Sequence, residues 1–166
     1  MTNDASTDPL TGLFNRRWLD NALAHFLAEA LETAQPLCVL LLDVDHFKKY
    51  NDTYGHSAGD HALMVISHTL KHAIRPQDFA CRYGGEEFLV LLPHTTIQEG
   101  NMVAERIRHT IEDNCIIAVD GKSLPKLTIS VGLAVNKSDS DPKSLIDFAD
   151  AKLYQAKLEG RNCVRY

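Results

Sequence analysis

A chain of 166 residues with 45% hydrophobic content is long enough to bury one core without being divided. Its formal net charge of −5 argues against non-specific nucleic-acid binding, which needs a basic surface, so an anionic ligand must be met by local cations and metal. No stretch approaches the ~18 consecutive apolar residues of a membrane span, and Met1 to Thr7 lack the basic-then-apolar order of a signal peptide, so a cytoplasmic setting is expected.

The first element in chain order is a helix from about Asn15 to Ala34, followed by an apolar strand from Leu37 that ends in Asp43-Val44-Asp45. A short helix is predicted near Phe47 and a longer one from about Gly59 to His72. In the longer helix Ala62, Ile66, Thr69 and Ala73 share a face that Leu63 and Leu70 widen. Phe79 to Tyr83 and Phe88 to Leu92 read as two strands of a hairpin turning at Gly84-Gly85. A helix from about Ile97 to Asn114 carries Ala104, Ile107 and Ile111 at helical spacing. Asp120-Gly121 signals a second hairpin, between Cys115–Val119 and Leu127–Val135. Asp141 reads as an N-cap with Pro142 at the first position of the last helix, and Gly160 as its stop. Cys38, Cys81, Cys115 and Cys163 are scattered, three of them in predicted strands. They read as small core residues with neither a zinc spacing nor a disulfide framework. Helices separating strands in this order predict an α+β fold with a mixed sheet and helices against it.

The most informative segment is Gly84-Gly85-Glu86-Glu87-Phe88. Glycines let the chain bend sharply and let a phosphate approach the backbone, and the two carboxylates offer the hard oxygen ligands that Mg²⁺ prefers. Alone, the segment reads more readily as an ordinary turn with solvated acids. The acidic end of the first strand adds weight, because two-metal phosphoryl transfer needs carboxylates that converge from separate strands. Lys157 and Arg161 stand one helical turn apart, so both cations are expected to point the same way from the last helix. Their plainer reading is a solvated basic helix end. His61, His68 and His72 share one helix but lack a third nearby ligand, so they read as surface histidines. Trp18 and Tyr54 read as packing residues.

Three separated motifs carry a more specific resemblance: Asp43-Val44-Asp45-His46-Phe47-Lys48-Lys49-Tyr50-Asn51-Asp52, Ser57-Ala58-Gly59-Asp60, and Arg82-Tyr83-Gly84-Gly85-Glu86-Glu87-Phe88. Together they resemble the GGDEF family of diguanylate cyclases. The similarity runs from Asp8 to the end of the chain, opening with Asp8-Pro9-Leu10-Thr11-Gly12-Leu13 and closing with Ala149-Asp150 through Gly160-Arg161-Asn162 as its last helix and exit. It implies one catalytic domain over 1–166, with 1–14 as a lead-in from an upstream sensory or receiver module. It also implies a ferredoxin-like β-α-β-β-α-β palm like those of nucleotidyl cyclases.

By that resemblance Asp43 and Glu86 are metal ligands, with the Val44 carbonyl alongside and Glu87 assisting at the metal or ribose. Two Mg²⁺ ions per half-site, or Mn²⁺ in their place, would bridge to the phosphates of GTP. Glu86 is the candidate to help deprotonate a 3′-hydroxyl, although sequence does not separate a base from a ligand. The amides of Phe47 and Lys48, at a helix start, and the side chains of Lys157 and Arg161 would hold the triphosphate. Gly84 and Gly85 would give the nucleotide room. Asn51 and Asp60 would select guanine, their plainer roles being a helix terminator and an N-terminal helix acid.

Arg75-Pro76-Gln77-Asp78 precedes the glycine pair by the spacing of the family's product-inhibition motif. There Arg75 would grip phosphate or guanine, Asp78 would accept from the guanine ring, and Arg106 would add a contact to bound cyclic di-GMP. The implied activity joins two GTP molecules across an antiparallel homodimer. Two alternatives stand beside it: a non-catalytic cyclic di-GMP receptor using Arg75 and Asp78, and cyclisation of a different purine pair.

Overall fold

The computed structural model describes residues 5–166; Met1 to Asp4, part of the stretch read for a leader, lie outside the described residues. Helix α1 (Arg16–Thr33) starts where the Asn15 side chain accepts from the Trp18 amide and stops at Ala34, whose φ is 56°. Strand β1 (Leu37–Val44) leads into α2 (Phe47–Tyr54) and α3 (His56–Ala73). Gly55, at φ 93°, separates the two helices, so α3 begins at His56 rather than at the predicted Gly59. Strands β2 (Phe79–Arg82) and β3 (Glu87–Pro93) form the expected hairpin, and α4 (Ile97–Asn114) follows behind a Thr96–Glu99 capping box. Helix α5 (Pro142–Leu158) has Asp141 at its N-cap and Pro142 in its first turn, as read from the sequence.

The second hairpin differs from expectation. Asp120 and Gly121 both have positive φ, 52° and 77°, as a two-residue hairpin turn requires. The strands they join are only β4 (Ala118–Val119) and β5 (Lys122–Ser123), a separate two-stranded ribbon. Cys115 is the C-cap of α4 rather than a strand residue, and the main-sheet strand β6 (Ile129–Val135) starts after the ribbon. Burying Ile117 and Leu127 packs both flanks of the ribbon onto the core without extending its ladder.

The main sheet has the order β2-β3-β1-β6-β7, with β7 spanning Val164–Arg165. Neighbours are antiparallel except β6 and β7. Strands β1, β2, β3 and β6 with their crossover helices make two interleaved β-α-β units, the ferredoxin-like arrangement the motifs implied. Every residue of β1 is buried, because helices cover both faces of the sheet. Cys38, Leu40, Leu42 and Val44 face α3 and α4, along with Val90, Leu92 and Leu133. Leu37, Val39 and Leu41 face α1 and α5, with Leu89, Leu91, Leu145 and Leu153.

Two further details set the positions of functional groups. Helix α5 lies so close to β6 at Gly132 that a Cβ there would fall 2.1 Å from the Ala149 carbonyl oxygen. Along the outer edge of β2, the Phe14 amide donates to Ala80 at 3.3 Å and the Arg82 amide donates to Phe14 at 2.9 Å, so the lead-in segment covers that edge. Trp18 packs as expected, stacked on Phe14 with centroids 3.8 Å apart, whereas Tyr54 is largely exposed. All four cysteines are free, and burial pushes the Cys38 and Cys81 thiols up to about 12, so these are inert core groups. His68 and His72 are exposed, as read from the sequence.

Candidate active site

Strand parity decides which way the acids point. Residues two apart on a strand share a face, so Asp43 continues the row of Val39 and Leu41 toward α5. Asp43 sits directly opposite Glu87 of β3. The loop residue Glu86 joins them through its carbonyl, which accepts from the Val44 amide at 3.2 Å. Three carboxylates therefore meet at one end of the central strand pair. Burial first, and Asp43 second, push the carboxyls of both Glu86 and Glu87 above the ordinary range, while Lys157 pulls them partly back.

The counter-charge comes from α5. Lys157 donates a short hydrogen bond to Asp43 Oδ2 from a side chain 30% exposed onto one 11% exposed. Seating α5 against Gly132 brings this amine within reach of the strand end.

The glycine pair works differently from the sequence expectation. Neither Gly84 nor Gly85 has positive φ, so the bend does not depend on a left-handed residue. At Gly84 the need is space, since a Cβ would lie 2.9 Å from Glu87 Oε1; at Gly85 it would meet nothing. The loop is held from outside by Arg82, whose Nη2 and Nε donate to the Gly85 carbonyl at 2.8 and 3.3 Å. Arg82 Nη1 donates to both oxygens of Asp8 at 3.2 and 3.3 Å, fastening the lead-in segment to the acidic hairpin. The sequence reading assigned no role to Arg82 or to Asp8 beyond their places in motifs.

The second acid of Asp43-Val44-Asp45 is not turned toward this cluster. Asp45 is 3% exposed, and its carboxylate accepts from the Thr128 hydroxyl, the Ser130 hydroxyl and the Asn162 amide at 2.7, 2.6 and 3.0 Å. Those three donors and its burial commit it to the protein interior, leaving Asp43, Glu86 and Glu87 as the carboxylates of the cluster.

The first turn of α2 begins at Phe47, and its early N–H groups, including those of Phe47 and Lys48, lack acceptors inside the helix. Asn51 and Asp60 come to one corner where α2 crosses α3. Gly59 leaves room for the Asn51 amide, because a Cβ there would fall 1.6 Å from Asn51 Oδ1. That oxygen is buried with no donor partner.

Arg161 is the main departure among these residues. Helix α5 ends at Leu158, and Arg161 lies past Gly160 with φ 62°, so it does not extend from the last helix one turn beyond Lys157. Gly160, at φ 114°, breaks the helical spacing on which the expectation rested.

Arg75 and Asp78 are paired with each other. Arg75 Nε and Nη2 donate to the two Asp78 oxygens at 2.8 Å each, and Nη2 also reaches the Thr95 hydroxyl at 2.6 Å. The Asp78 side chain is fully buried, and in this structure it braces Arg75. Arg106 donates from Nε to the Ala73 carbonyl at 2.9 Å, which sets it beside the same segment.

Among the described residues, the trio of ligand-type atoms gathered within 4.8 Å is His109, Glu112 and Asp113, at the far end of α4. Asp43, Glu86 and Glu87 are thus no closed three-point cage. Asp43, Glu86 and the Val44 carbonyl would nevertheless offer hard oxygens of the kind that holds Mg²⁺ when substrate phosphates complete the shell.

The family model described as diguanylate cyclase, GGDEF domain, matches residues 5–163. The chain belongs to the GGDEF family. This GGDEF domain is 40% identical over 161 residues to the response regulator PleD of Caulobacter vibrioides, covering 96% of this chain and 36% of PleD. To the probable diguanylate cyclase DgcT of Escherichia coli it is 41% identical over 167 residues, covering 98% of this chain and 36% of DgcT. It thus spans about a third of the length of these relatives. The crystal structure of the DgcB GGDEF domain from Caulobacter crescentus, in complex with c-di-GMP, superposes with a TM-score of 0.93 at 36% identity. That match covers 98% of this GGDEF domain and 93% of the DgcB chain.

Proposed function

We propose that this GGDEF domain, with 1–14 as its lead-in, is a diguanylate cyclase that condenses two GTP molecules into cyclic di-GMP and two pyrophosphates. The observation that carries the reading is the convergence of Asp43, Glu86 and Glu87 at one strand end under Lys157, in a chain that keeps the family's acidic hairpin intact. Bound Mg²⁺, two ions per half-site or Mn²⁺ in their place, would supply charge neutralisation at the triphosphate.

The chain's own residues do the rest. Asp43, Glu86 and the Val44 carbonyl hold the metals, and Glu87 assists there or at the ribose. The amides of Phe47 and Lys48 with Lys157 and Arg161 orient the phosphates, against the open surface left by Gly84 and Gly85. Asn51 and Asp60 read the guanine edge, where Asp60 accepts from ring hydrogens that adenine does not offer. Each 3′-oxygen attacks the α-phosphorus of the other nucleotide, the bond to the β-phosphate breaks, and pyrophosphate leaves. The hydroxyl proton passes to a base, for which Glu86 is the candidate. One site holds one reactant, so the reaction needs two loaded copies facing each other antiparallel.

Arg75, braced by Asp78, and Arg106 would bind the product and slow the enzyme. The DgcB structure with c-di-GMP supports product binding in a relative of this fold. Upstream regulation is supported by the response regulator PleD, of which this chain matches only part. Among the described residues no helix is long and apolar enough to cross a membrane.

The test is incubation of the purified protein with GTP and Mg²⁺. Cyclic di-GMP and pyrophosphate are expected, and absence of dinucleotide at every protein concentration would refute the reading. Binding of cyclic di-GMP by a protein that neither binds nor turns over GTP would favour the receptor instead.

A further inference from the structure

The chain leaving α5 is held in an unusual way. Gly160, Arg161 and Asn162 have φ of 114°, 62° and 45°, a left-handed run that glycine enters freely, asparagine tolerates and arginine resists. A long side chain stays in that region only where its surroundings determine the backbone. Here they do so on both sides. The Arg161 amide donates to the Ala156 carbonyl at 3.0 Å, and the next amide, of Asn162, donates to buried Asp45 at 3.0 Å.

The Asn162 side chain is engaged at both ends. Its Oδ1 accepts from Arg108 Nη1 at 2.9 Å, and its Nδ2 donates to Glu112, both residues of α4. Arg108 is itself braced by Glu105 at 3.0 Å and Glu112 at 3.3 Å. Starting β7 does not need these ties, since the Val131 amide already donates to the Cys163 carbonyl at 3.0 Å. In the middle of this network, the Arg161 guanidinium has no hydrogen bond or ion pair among the described residues.

We infer that Asp45, Asn162, Glu112 and Arg108 form a clamp that presents Arg161 to the nucleotide phosphates. They are positioning residues, and none of them touches substrate. Asp45 ties the clamp to the same strand end that carries Asp43, so the phosphate-binding cation and the metal-binding acid share one rigid reference. The inference rests on the phosphate role proposed above for Arg161.

The experiment is a calorimetric titration of the full chain, with Mg²⁺, using a GTP analogue whose α,β-bridge is a methylene group. Asn162→Gly keeps the backbone conformation and cuts the ties to α4. Glu112→Ala cuts one tie from the α4 side and leaves the turn intact, and thermal melts report that both variants are folded. Each is expected to weaken analogue binding by about three- to tenfold, and to have no further effect beyond ~twofold when Arg161→Ala is already present. Wild-type affinity in both variants, or the same loss in the Arg161→Ala background, would overturn the clamp. Wild-type affinity for Arg161→Ala alone would remove the phosphate role first, and the clamp with it.

Discussion

Asp43 and Glu87 stand opposite each other across antiparallel strands, a like-charge pairing that a sheet ordinarily avoids. Lys157 relieves part of the repulsion, and a divalent ion at the proposed site would relieve more of it. Glu87→Gln is expected to raise the stability of the metal-free protein by about 0.2–1 kcal/mol while lowering cyclase turnover. Thermal unfolding in chelator and pyrophosphate release measure the two effects, and a variant less stable than wild type would refute the repulsion. Asp8 shows the opposite electrostatics. Burial alone would push its carboxyl up, but hydrogen bonds from Thr11 and the charge of Arg82 outweigh burial and hold it below its ordinary 3.8. A depressed carboxyl contributes stability that is present above the unfolded value and lost as pH falls through the folded one. Asp8→Asn is therefore expected to cost about 1–3 kcal/mol near neutrality, with the gap closing as pH drops below 3.8. Parallel melts of the two proteins across that range check it, and a constant gap would assign the loss to packing.

At the level of elements, two glycines with close contacts predict opposite outcomes. Adding a Cβ at Gly132 meets helix backbone, 2.1 Å from the Ala149 carbonyl oxygen and 2.3 Å from the Leu153 nitrogen, so α5 itself must move. Gly132→Ala is expected to destabilise the fold by roughly 1–3 kcal/mol and to carry Lys157 away from Asp43, lowering activity with stability. At Gly59 the obstacle is the end of the Asn51 side chain, 1.6 Å away, which can rotate aside. Gly59→Ala should leave the melting temperature unchanged or raise it, since alanine favours a helix interior by about 0.5–1 kcal/mol. Its effect should fall on the preference for GTP over ATP. Competition between the two nucleotides tests this, and full GTP preference in Gly59→Ala would dismiss Asn51 as a guanine reader. The same contrast explains what sequence periodicity missed. A glycine within a helix or strand reads as a weak point, and only the partner element shows that the missing side chain is what lets two elements meet.

For the whole molecule, the proposed mechanism places one nucleotide in each site, so turnover would depend on encounter between copies. Activity per unit protein is expected to rise with protein concentration at saturating GTP, measured by pyrophosphate release over a dilution series. A flat profile across the range where the protein is monomeric by sedimentation would contradict the antiparallel mechanism. Much of this was legible in the residues themselves: the helix start at Asp141 follows from capping chemistry, the helices from about Asn15 and Ile97 from apolar spacing, and the acidic hairpin and the acidic strand end from turn residues and an apolar run. Local rules stop where the chain's partners are distant in sequence. Gly160, read as the stop of α5, already placed Arg161 beyond that helix, but no residue nearby announces that Asp78 turns both oxygens to Arg75 or that Asp45 anchors Asn162. The sequence by itself determined most of the helices and strands and placed the acidic residues at a strand end and a hairpin turn, because those depend on side-chain type and spacing within a few residues. Only the tertiary structure decided which charged groups are already paired, because burial and hydrogen-bond satisfaction are set by residues brought together from opposite ends of the chain.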